Sequence, residues 1–326
     1  MKLSRRQFLH QTAGAVTISA IPGKAAAESY PSRPIRAIVT AGAGSAVDVL
    51  PRVIFDKLSS QLGEPIVVEN RVGAGGTIAI AAVAKAEPDG YTILANSSAH
   101  TVLPWLYMNL PYDTARDLAG IIPLGSMPLV LVTSPAKGLR TIGDFVAAAK
   151  AKAGFFNFTS TGIGTATHMS AERFRVSAGI EAVHVPVKSG PEALTEVISG
   201  RADFYFCPIG TALPFIRDGE LAGLVVNSGE RAPQLSDVPT TGQAGLANAD
   251  YRFSIGLFAP ARTPRNIIDR LYRETASALQ TAGVSEKFNA LGVTAMDMTP
   301  AQFDEYVRDE IAANGALIKA AKIEPH

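Results

Sequence analysis

The sequence has one cysteine and one tryptophan among 326 residues, and 30 lysines and arginines nearly balance 29 acidic residues. A single cysteine excludes an intramolecular disulfide and a zinc site made of several cysteines. The absence of a basic excess argues against nucleic acid as a partner. The five histidines lack the spacing of metal ligands on a helix. No P-loop and no Gly-x-Ser-x-Gly motif occurs, so the sequence predicts no metal, no cofactor and no catalytic residue.

Long hydrophobic runs are also missing after the N-terminal segment, and a membrane span needs about 20 consecutive apolar residues. The hydrophobic content of 47% and the charged content of 18% argue against disorder. At roughly 150 residues per domain, the length indicates about two domains. No proline- or serine-rich linker separates them, so we expect the chain to cross between them more than once.

The N-terminal segment has the pattern of an export signal. The paired residues Arg5 and Arg6 precede a short apolar stretch, Phe8–Ile21, and the small-residue ending Ala25–Ala27. Paired arginines in this position are typical of twin-arginine export. We therefore predict a twin-arginine-type signal peptide over residues 1–27, and a soluble protein in the bacterial periplasm after its cleavage.

Short apolar runs then alternate with segments of helical periodicity, which is typical of βαβ units around a mostly parallel sheet. Two predicted strands, Ile35–Val39 and Phe155–Thr159, each lead into a loop rich in glycine, serine and threonine, and a predicted helix follows each loop. A third strand, Tyr91–Ala95, leads into Asn96–Ala99. The sequence thus predicts an α/β fold with polar loops at the carboxyl ends of strands, where such folds place ligands.

The two glycine-rich loops, Thr40–Val47 and Ser160–His168, share one design. The N–H groups at a helix start lack intrahelical partners and carry partial positive charge, and small residues let an anion approach. Both loops are therefore candidates for binding a carboxylate or a phosphate, and the hydroxyls of Asn96–Ala99 offer further donors. The alternative interpretation is that each loop is only a tight turn with capping residues. His168 follows the second loop and could donate to a bound anion, but a helix-cap or packing role is the preferred interpretation.

Several longer motifs follow one another in a fixed order. They are Tyr30–Arg36, Pro65–Gly76, Pro88–Thr92, Leu110–Asp113, Ser160–His168, His184–Lys188 and Leu257–Pro260. In composition and order they resemble the motifs of the periplasmic solute-binding receptors of tripartite tricarboxylate transporters, often called Bug receptors. The resemblance extends from Tyr30 to Ile323, which is essentially the whole chain after the signal.

This resemblance implies two Rossmann-like α/β lobes in a type II periplasmic-binding-protein clamshell, with an interlobe ligand cleft. It implies a monomeric receptor, not an enzyme, that captures a small organic acid, either a di- or an aromatic carboxylate. The acid would be delivered to the membrane permease subunits of a tripartite tricarboxylate transporter. Lobe 1 is expected to comprise residues 28–133 and 255–326, and lobe 2 residues 134–254, with a hinge near Thr133 and Ile255.

The ligand contacts that the resemblance implies lie on the three polar loops and around the strand before Cys207. They are Ala43, Gly44, Ser45, Ala46, Val47, Ser97, Ser98, Ser160, Thr161, Gly162, Gly164, Thr165, Ala166, Thr167, Asp203 and Pro208. The first loop departs from the family, because Thr40–Asp48 keeps less of the usual proline and glycine character. The identity of the ligand therefore does not carry over, and the changed loop can admit a bulkier or more apolar acid.

Two alternatives stay open at this stage. Gly42 and Gly44 match the first two glycines of a dinucleotide-binding motif, with Val47 in place of the third. An exported, cofactor-bearing oxidoreductase is therefore one alternative. The other is a receptor that senses its ligand for a signalling partner, which the sequence does not separate from a transport receptor.

Overall fold

The computed structural model describes residues 30–325, so the predicted signal peptide lies outside the described residues. The described strands are β1 (Ile35–Val39), β2 (Ile66–Asn70), β3 (Thr92–Ser97), β4 (Leu118–Met127), β5 (Leu129–Thr133), β6 (Phe156–Ser160), β7 (Ala182–Pro186), β8 (Phe204–Pro208), β9 (Ala222–Val226) and β10 (Phe253–Pro260). The described α-helices are α1 (Ala46–Leu62), α2 (Thr77–Ala84), α3 (Leu103–Leu106), α4 (Ile142–Ala151), α5 (Ala166–Ala178), α6 (Gly190–Ile198), α7 (Ile209–Arg217), α8 (Arg265–Leu279), α9 (Ala282–Ala290) and α10 (Pro300–Ala321).

The strands form two five-stranded sheets of the same design. In the first sheet, with the order β2-β1-β3-β10-β4, β1 runs parallel to β2 and β3, and β10 runs antiparallel to its neighbours. In the second, with the order β7-β6-β8-β5-β9, β6 runs parallel to β7 and β8, and β5 runs antiparallel to its neighbours. Parallel strands end on one edge of a sheet, so the loops after β1, β2 and β3 lie together, as do those after β6, β7 and β8.

Each sheet has its own hydrophobic core. Helix α1 buries Leu50, Ile54 and Leu58 against the first sheet, because their spacing places them on one face of the helix. In the second core, the ring centroid of Phe174 on α5 lies 5.8 Å from that of Phe204 on β8. Burying one such side chain contributes about 1.5–3 kcal/mol. The predicted α/β organisation around two cores is confirmed.

The chain changes sheets twice. Strand β4 of the first sheet continues through Pro128 into β5 of the second, and the segment after Val226 returns to β10 of the first. Asn227 stabilises the second crossing, because its backbone N–H donates to the Leu129 carbonyl and its Oδ1 accepts from the Leu129 N–H at 2.7 Å. Its Nδ2 donates to the Ser170 hydroxyl at 2.9 Å. The two crossings therefore lie side by side.

The predicted lobe boundaries lie near these crossings. The expected boundary after Thr133 falls at the end of β5, a strand that pairs with β8 and β9 in the second sheet. The lobe assignment remains a prediction, and strand membership favours Pro128 as the first boundary.

Helix α10 contacts both cores. Near its start, Phe303 covers two glycines on neighbouring strands: a Cβ would lie 2.7 Å from its ring at Gly120 and 2.5 Å from it at Gly256. Near its end, Leu317 and Ile318 belong to the core of the second sheet. The helix therefore links the two lobes. Within residues 30–325, no helix has both the length and the apolar character that a membrane crossing needs.

Candidate functional site

The first glycine-rich loop presents unpaired N–H groups at the start of α1. Ser45 has the extended N-cap conformation (φ −73°, ψ 161°), but its side chain makes no capping hydrogen bond. Its hydroxyl is buried and has no partner within residues 30–325. In the same range, the backbone N–H groups of Ala46 and Val47 donate to no acceptor. Two backbone N–H groups and one hydroxyl at this helix start are therefore without a partner in residues 30–325.

Asp48 holds this loop in shape from within the first turn of α1. Its carboxylate is 2% exposed and accepts from the Gly44 N–H at 2.9 Å, from Arg52 Nε at 2.8 Å and from Asn70 Nδ2 at 2.8 Å. Burial by itself raises the pKa of Asp48, but the hydrogen bonds from Asn70, Gly44 and Arg52 outweigh it and hold the pKa below its usual range. Asn70 also donates to the Ala41 carbonyl at 2.8 Å. The loop is thus fixed to the end of β2.

Replacing Asp48 with alanine is expected to lower the free energy of unfolding by about 3 kcal/mol, because it leaves buried donors without an acceptor. Urea denaturation measures this change. Asp56→Ala is the matched control, since Asp56 is an exposed acid on the same helix, and is expected to change stability by less than about 0.5 kcal/mol. An unchanged unfolding midpoint for Asp48→Ala would show that the loop does not depend on this carboxylate.

The segment after β3 lies beside the first loop. Asn96 is 3% exposed, and its Oδ1 accepts from the Thr40 hydroxyl and from the Ser97 N–H, both at 2.8 Å. The Asn96 Nδ2 is buried without a partner within the described residues. Ser97 and Ser98 are buried, and the Ser98 hydroxyl accepts from the Ser254 N–H at 3.3 Å. This segment adds polar groups to the same sheet edge and is hydrogen-bonded to the start of β10.

The second glycine-rich loop joins β6 to α5 and repeats the design of the first. Thr165 is the N-cap of α5, and its hydroxyl accepts from the His168 N–H and donates to the Gly162 carbonyl at 2.7 Å. The Thr167 hydroxyl accepts from the Thr161 N–H at 3.1 Å. Within residues 30–325, the N–H groups of Ala166 and Thr167 donate to no acceptor. A second helix start with two available donors therefore lies at the edge of the second sheet.

Contacts between the lobes bring parts of these edges together. Gly164 approaches Leu106 of α3 so closely that a Cβ on the glycine would lie 2.5 Å from the leucine Cδ1. At the start of α7, next to Pro208, a Cβ on Gly210 would lie 3.3 Å from the Leu291 carbonyl oxygen. The structure thus brings the second loop to the helix that follows Ser98, and the end of β8 to the first lobe.

Asp203 does not join the other predicted contact residues. It precedes β8, where its N–H donates to the Asn157 carbonyl near the start of the parallel strand β6. The glycine-rich loop follows the opposite end of β6. The two carboxylate oxygens of Asp203 accept from Lys137 Nζ at 2.5 Å and from the Asn157 N–H at 2.7 Å. Asp203 is therefore part of a structural network at the far edge of the sheet.

Three histidines next to the candidate loops were not predicted as a group. His100 follows Ser98, and its Nδ1 donates to the Ser97 carbonyl at 2.7 Å. His168 and His184 lie behind the second loop, with ring centroids 4.1 Å apart. Burial lowers the pKa of His100 to about 4, of His168 to about 3 and of His184 to about 4. All three imidazoles are therefore neutral at pH 7.

Neither metal chemistry nor thiol chemistry is favoured by the described part of the chain. Residues 30–325 contain no group of three or more histidine, cysteine, aspartate or glutamate side chains that could hold a metal ion. The Cys207 thiol is buried at the end of β8, and this burial raises its pKa. A thiol with a raised pKa is a poor nucleophile.

Comparison with known proteins gives consistent matches over nearly the whole chain. A sequence model of the family described as "Tripartite tricarboxylate transporter family receptor" matches residues 50–323. Among curated proteins, BugT from Bordetella pertussis is 34% identical over 308 residues, which cover 93% of this chain and 94% of BugT.

Solved structures give the same result for the fold. An R. palustris protein solved with adipate superposes with a TM-score of 0.82 at 27% identity, over 91% of this chain and 100% of that chain. MatC from Rhodopseudomonas palustris with bound malate superposes with a TM-score of 0.79 at 27% identity, over 89% of this chain and 100% of that chain. The predicted two-lobed periplasmic-binding-protein fold is confirmed.

Proposed function

Because the chain belongs to the tripartite tricarboxylate transporter receptor family, we propose that it captures a small organic acid between its lobes and delivers it to membrane permease subunits. The observation that carries this proposal is the pair of helix starts, α1 and α5, each with two unpaired N–H groups at the carboxyl end of a parallel strand. A dicarboxylate is the first candidate, since similar structures contain adipate and malate.

Backbone amides rather than arginines hold the acid in this proposal. Arg52, the arginine on α1, already donates to Asp48 at 2.8 Å and to Asn70 at 3.0 Å. A carboxylate at a helix start gains hydrogen bonds from the free N–H groups and attraction from the helix dipole. Each hydrogen bond to a charged group contributes about 1.5–3 kcal/mol. One carboxylate on each helix start would thus bridge the lobes and favour their closure about the two crossings.

The oxidoreductase alternative does not fit the first loop. A dinucleotide pyrophosphate needs the loop N–H groups and the helix start to be free for its negative charge. Here the Gly44 N–H already donates to the buried Asp48 carboxylate, and Val47 stands where the motif requires its third glycine. Sensing for a signalling partner remains a hypothesis, because it would use the same ligand site.

The location and the assembly are proposed from the N-terminal signal pattern and from the family. We expect export through the twin-arginine pathway, cleavage after Ala27 and action as a monomer in the periplasm. The lobes are expected to move about the crossing at Pro128 and the crossing after Val226.

Purified protein is expected to be stabilised by a short dicarboxylate such as adipate or malate and not by adipamide, which has the skeleton of adipate with neutral ends. Ligand at 100 times its dissociation constant adds about 2.7 kcal/mol to stability. Thermal unfolding against a panel of di- and aromatic carboxylates measures this effect, and calorimetry gives the affinity. If no acid raises the melting temperature, or if adipamide raises it equally, the proposal is wrong.

A further inference from the structure

Two stacked imidazoles lie directly behind the second glycine-rich loop. The ring centroids of His168 and His184 are 4.1 Å apart with an interplanar angle of 27°. Phe158 on β6 stacks on His184 at 4.8 Å and on His168 at 6.1 Å. Residue His168 is 3% exposed, and His184 is half-buried. The register of β6 against β7 creates this stack, because it pairs Phe158 with His184.

One nitrogen of each imidazole makes a hydrogen bond to the loop. His168 Nδ1 accepts from the Gly164 N–H at 3.2 Å. His184 Nε2 lies 2.6 Å from the Ser160 hydroxyl, which already accepts from the Gly162 N–H at 3.1 Å. We assign the hydroxyl proton to His184 Nε2, because this contact is shorter than the 3.2 Å contact of the hydroxyl with the Gly162 carbonyl. The two histidines thus hold both ends of the loop.

These bonds require both imidazoles to be neutral. Burial lowers the pKa of both rings, and the neighbouring His184 and Arg175 lower that of His168 further. The charged groups around His168 are Glu172, whose Oε1 lies 3.8 Å from His168 Nε2, and Arg175, which pairs with Glu172. His184 faces His168, Phe158 and Ser160. A proton on His168 Nδ1 or on His184 Nε2 would remove the acceptor that the loop uses.

We propose that His168 and His184 are positioning residues, which fix the loop between Ser160 and Thr165 so that the Ala166 and Thr167 N–H groups are presented to the ligand. This inference rests on the proposed function of the same site. Neither imidazole touches the ligand in this scheme. Their contribution is to keep a glycine-containing loop in its binding conformation before the ligand arrives, which reduces the ordering that binding must accomplish.

Paired substitutions separate hydrogen bonding from packing. His168→Phe keeps a stacked ring but removes the acceptor, whereas His168→Asn places an amide oxygen where Nδ1 was. His184→Phe and His184→Gln form the matching pair at Nε2. If the loop conformation depends on the acceptor nitrogens, the phenylalanine variants should lose this conformation, and the amide variants should largely keep it.

The first measurement needs no ligand. Hydrogen exchange of the Gly164 amide, followed by NMR at pH 7, is expected to speed up by about tenfold in His168→Phe and by less than about threefold in His168→Asn, as the loss of one hydrogen bond implies. Equal exchange in wild type and both variants would overturn the proposal. Should His168→Phe fail to fold, the His184 pair gives the same comparison at the Gly162 amide.

The second measurement is calorimetric titration with adipate or with whichever acid the thermal screen selects. The phenylalanine variants are expected to bind about tenfold more weakly than wild type, and the amide variants within about threefold of it. Equal affinities in all variants would overturn the link to binding. If wild type binds no acid at all, the proposed function is wrong, while the exchange data still decide whether the histidines position the loop.

Discussion

Ala46→Pro and Ala166→Pro are each expected to weaken the binding of a dicarboxylate such as adipate about 10- to 100-fold while the protein stays folded. Each substitution deletes one N–H that the carboxylate would use, and the proline Cδ takes the place of the hydrogen. Both residues are the first of their helix, where the missing N–H and fixed φ of proline are tolerated. Each substitution is therefore expected to weaken ligand binding without destabilising the helix.

The local backbone allows both exchanges. Ser45 (φ −73°, ψ 161°) and Thr165 (φ −69°, ψ 161°) have the extended conformation that a residue before proline requires. The chain itself uses Pro300 as the first residue of α10. Stability is expected to change by less than about 1 kcal/mol, because a compatible proline restricts mainly the unfolded chain.

A matched control is available away from the site. Ala282 is the exposed first residue of α9, and Thr281 before it is extended (φ −73°, ψ 137°). Ala282→Pro should therefore leave affinity unchanged. Calorimetry on the three variants measures the effect, and thermal unfolding checks the fold. Wild-type affinity in both Ala46→Pro and Ala166→Pro would mean that these amides do not hold the ligand.

The sequence was sufficient to predict most of the fold, because buried parallel strands give short apolar runs between turn residues. It did not predict β4, which contains Gly120, Pro123 and Gly125 and so has the pattern of a loop. Strand β4 tolerates these residues because it is an edge strand with register shifts against β10. Helix α7 was missed for a similar reason, since Gly210 and Pro214 lie within it.

The sequence predicts those features of the candidate site that depend on neighbouring residues in the chain. It does not predict the features that depend on how strands pair. Glycine, serine and threonine before a helix identify both helix starts without any tertiary information. The resemblance places Asp203 among the ligand contacts, but Asp203 lies at the amino end of β8, beside Asn157 and away from the glycine-rich loops. The stack of Phe158, His168 and His184 needs the register of β6 against β7, which no sequence spacing shows.

Lowering the pH from 7 to 5 is expected to reduce the free energy of unfolding by about 4 kcal/mol in the absence of ligand. The pKa of His100, of His168 and of His184 falls from 6.5 to about 4, about 3 and about 4 in the folded protein. Between these values and 6.5, the unfolded chain binds protons that the folded chain does not. The stability that the neutral histidines contribute is therefore fully present above pH 6.5 and is lost as the pH decreases.

Buried carboxyls act in the opposite direction. Burial raises the pKa of Glu172 and of Glu310, so their folded forms bind protons more readily as the pH falls. His184 contributes less than the other two histidines because water screens a half-buried ring. The two fully buried imidazoles, each contributing about 2 kcal/mol over this interval, therefore dominate. Urea denaturation at pH 7, 6 and 5 measures the net change in the free energy of unfolding from the histidines and the carboxyls together.

His100→Asn isolates one of these contributions without altering the second loop. The asparagine amide can still donate to the Ser97 carbonyl, which His100 Nδ1 contacts at 2.7 Å, but it does not titrate. The slope of stability against pH should then decrease by about 1 kcal/mol per pH unit, because the contribution of about 2 kcal/mol is spread over two pH units. A wild-type slope in His100→Asn would show that this imidazole is charged in the folded protein. Stability that does not change between pH 7 and 5 would contradict the neutral state of all three histidines, including the pair that holds the loop.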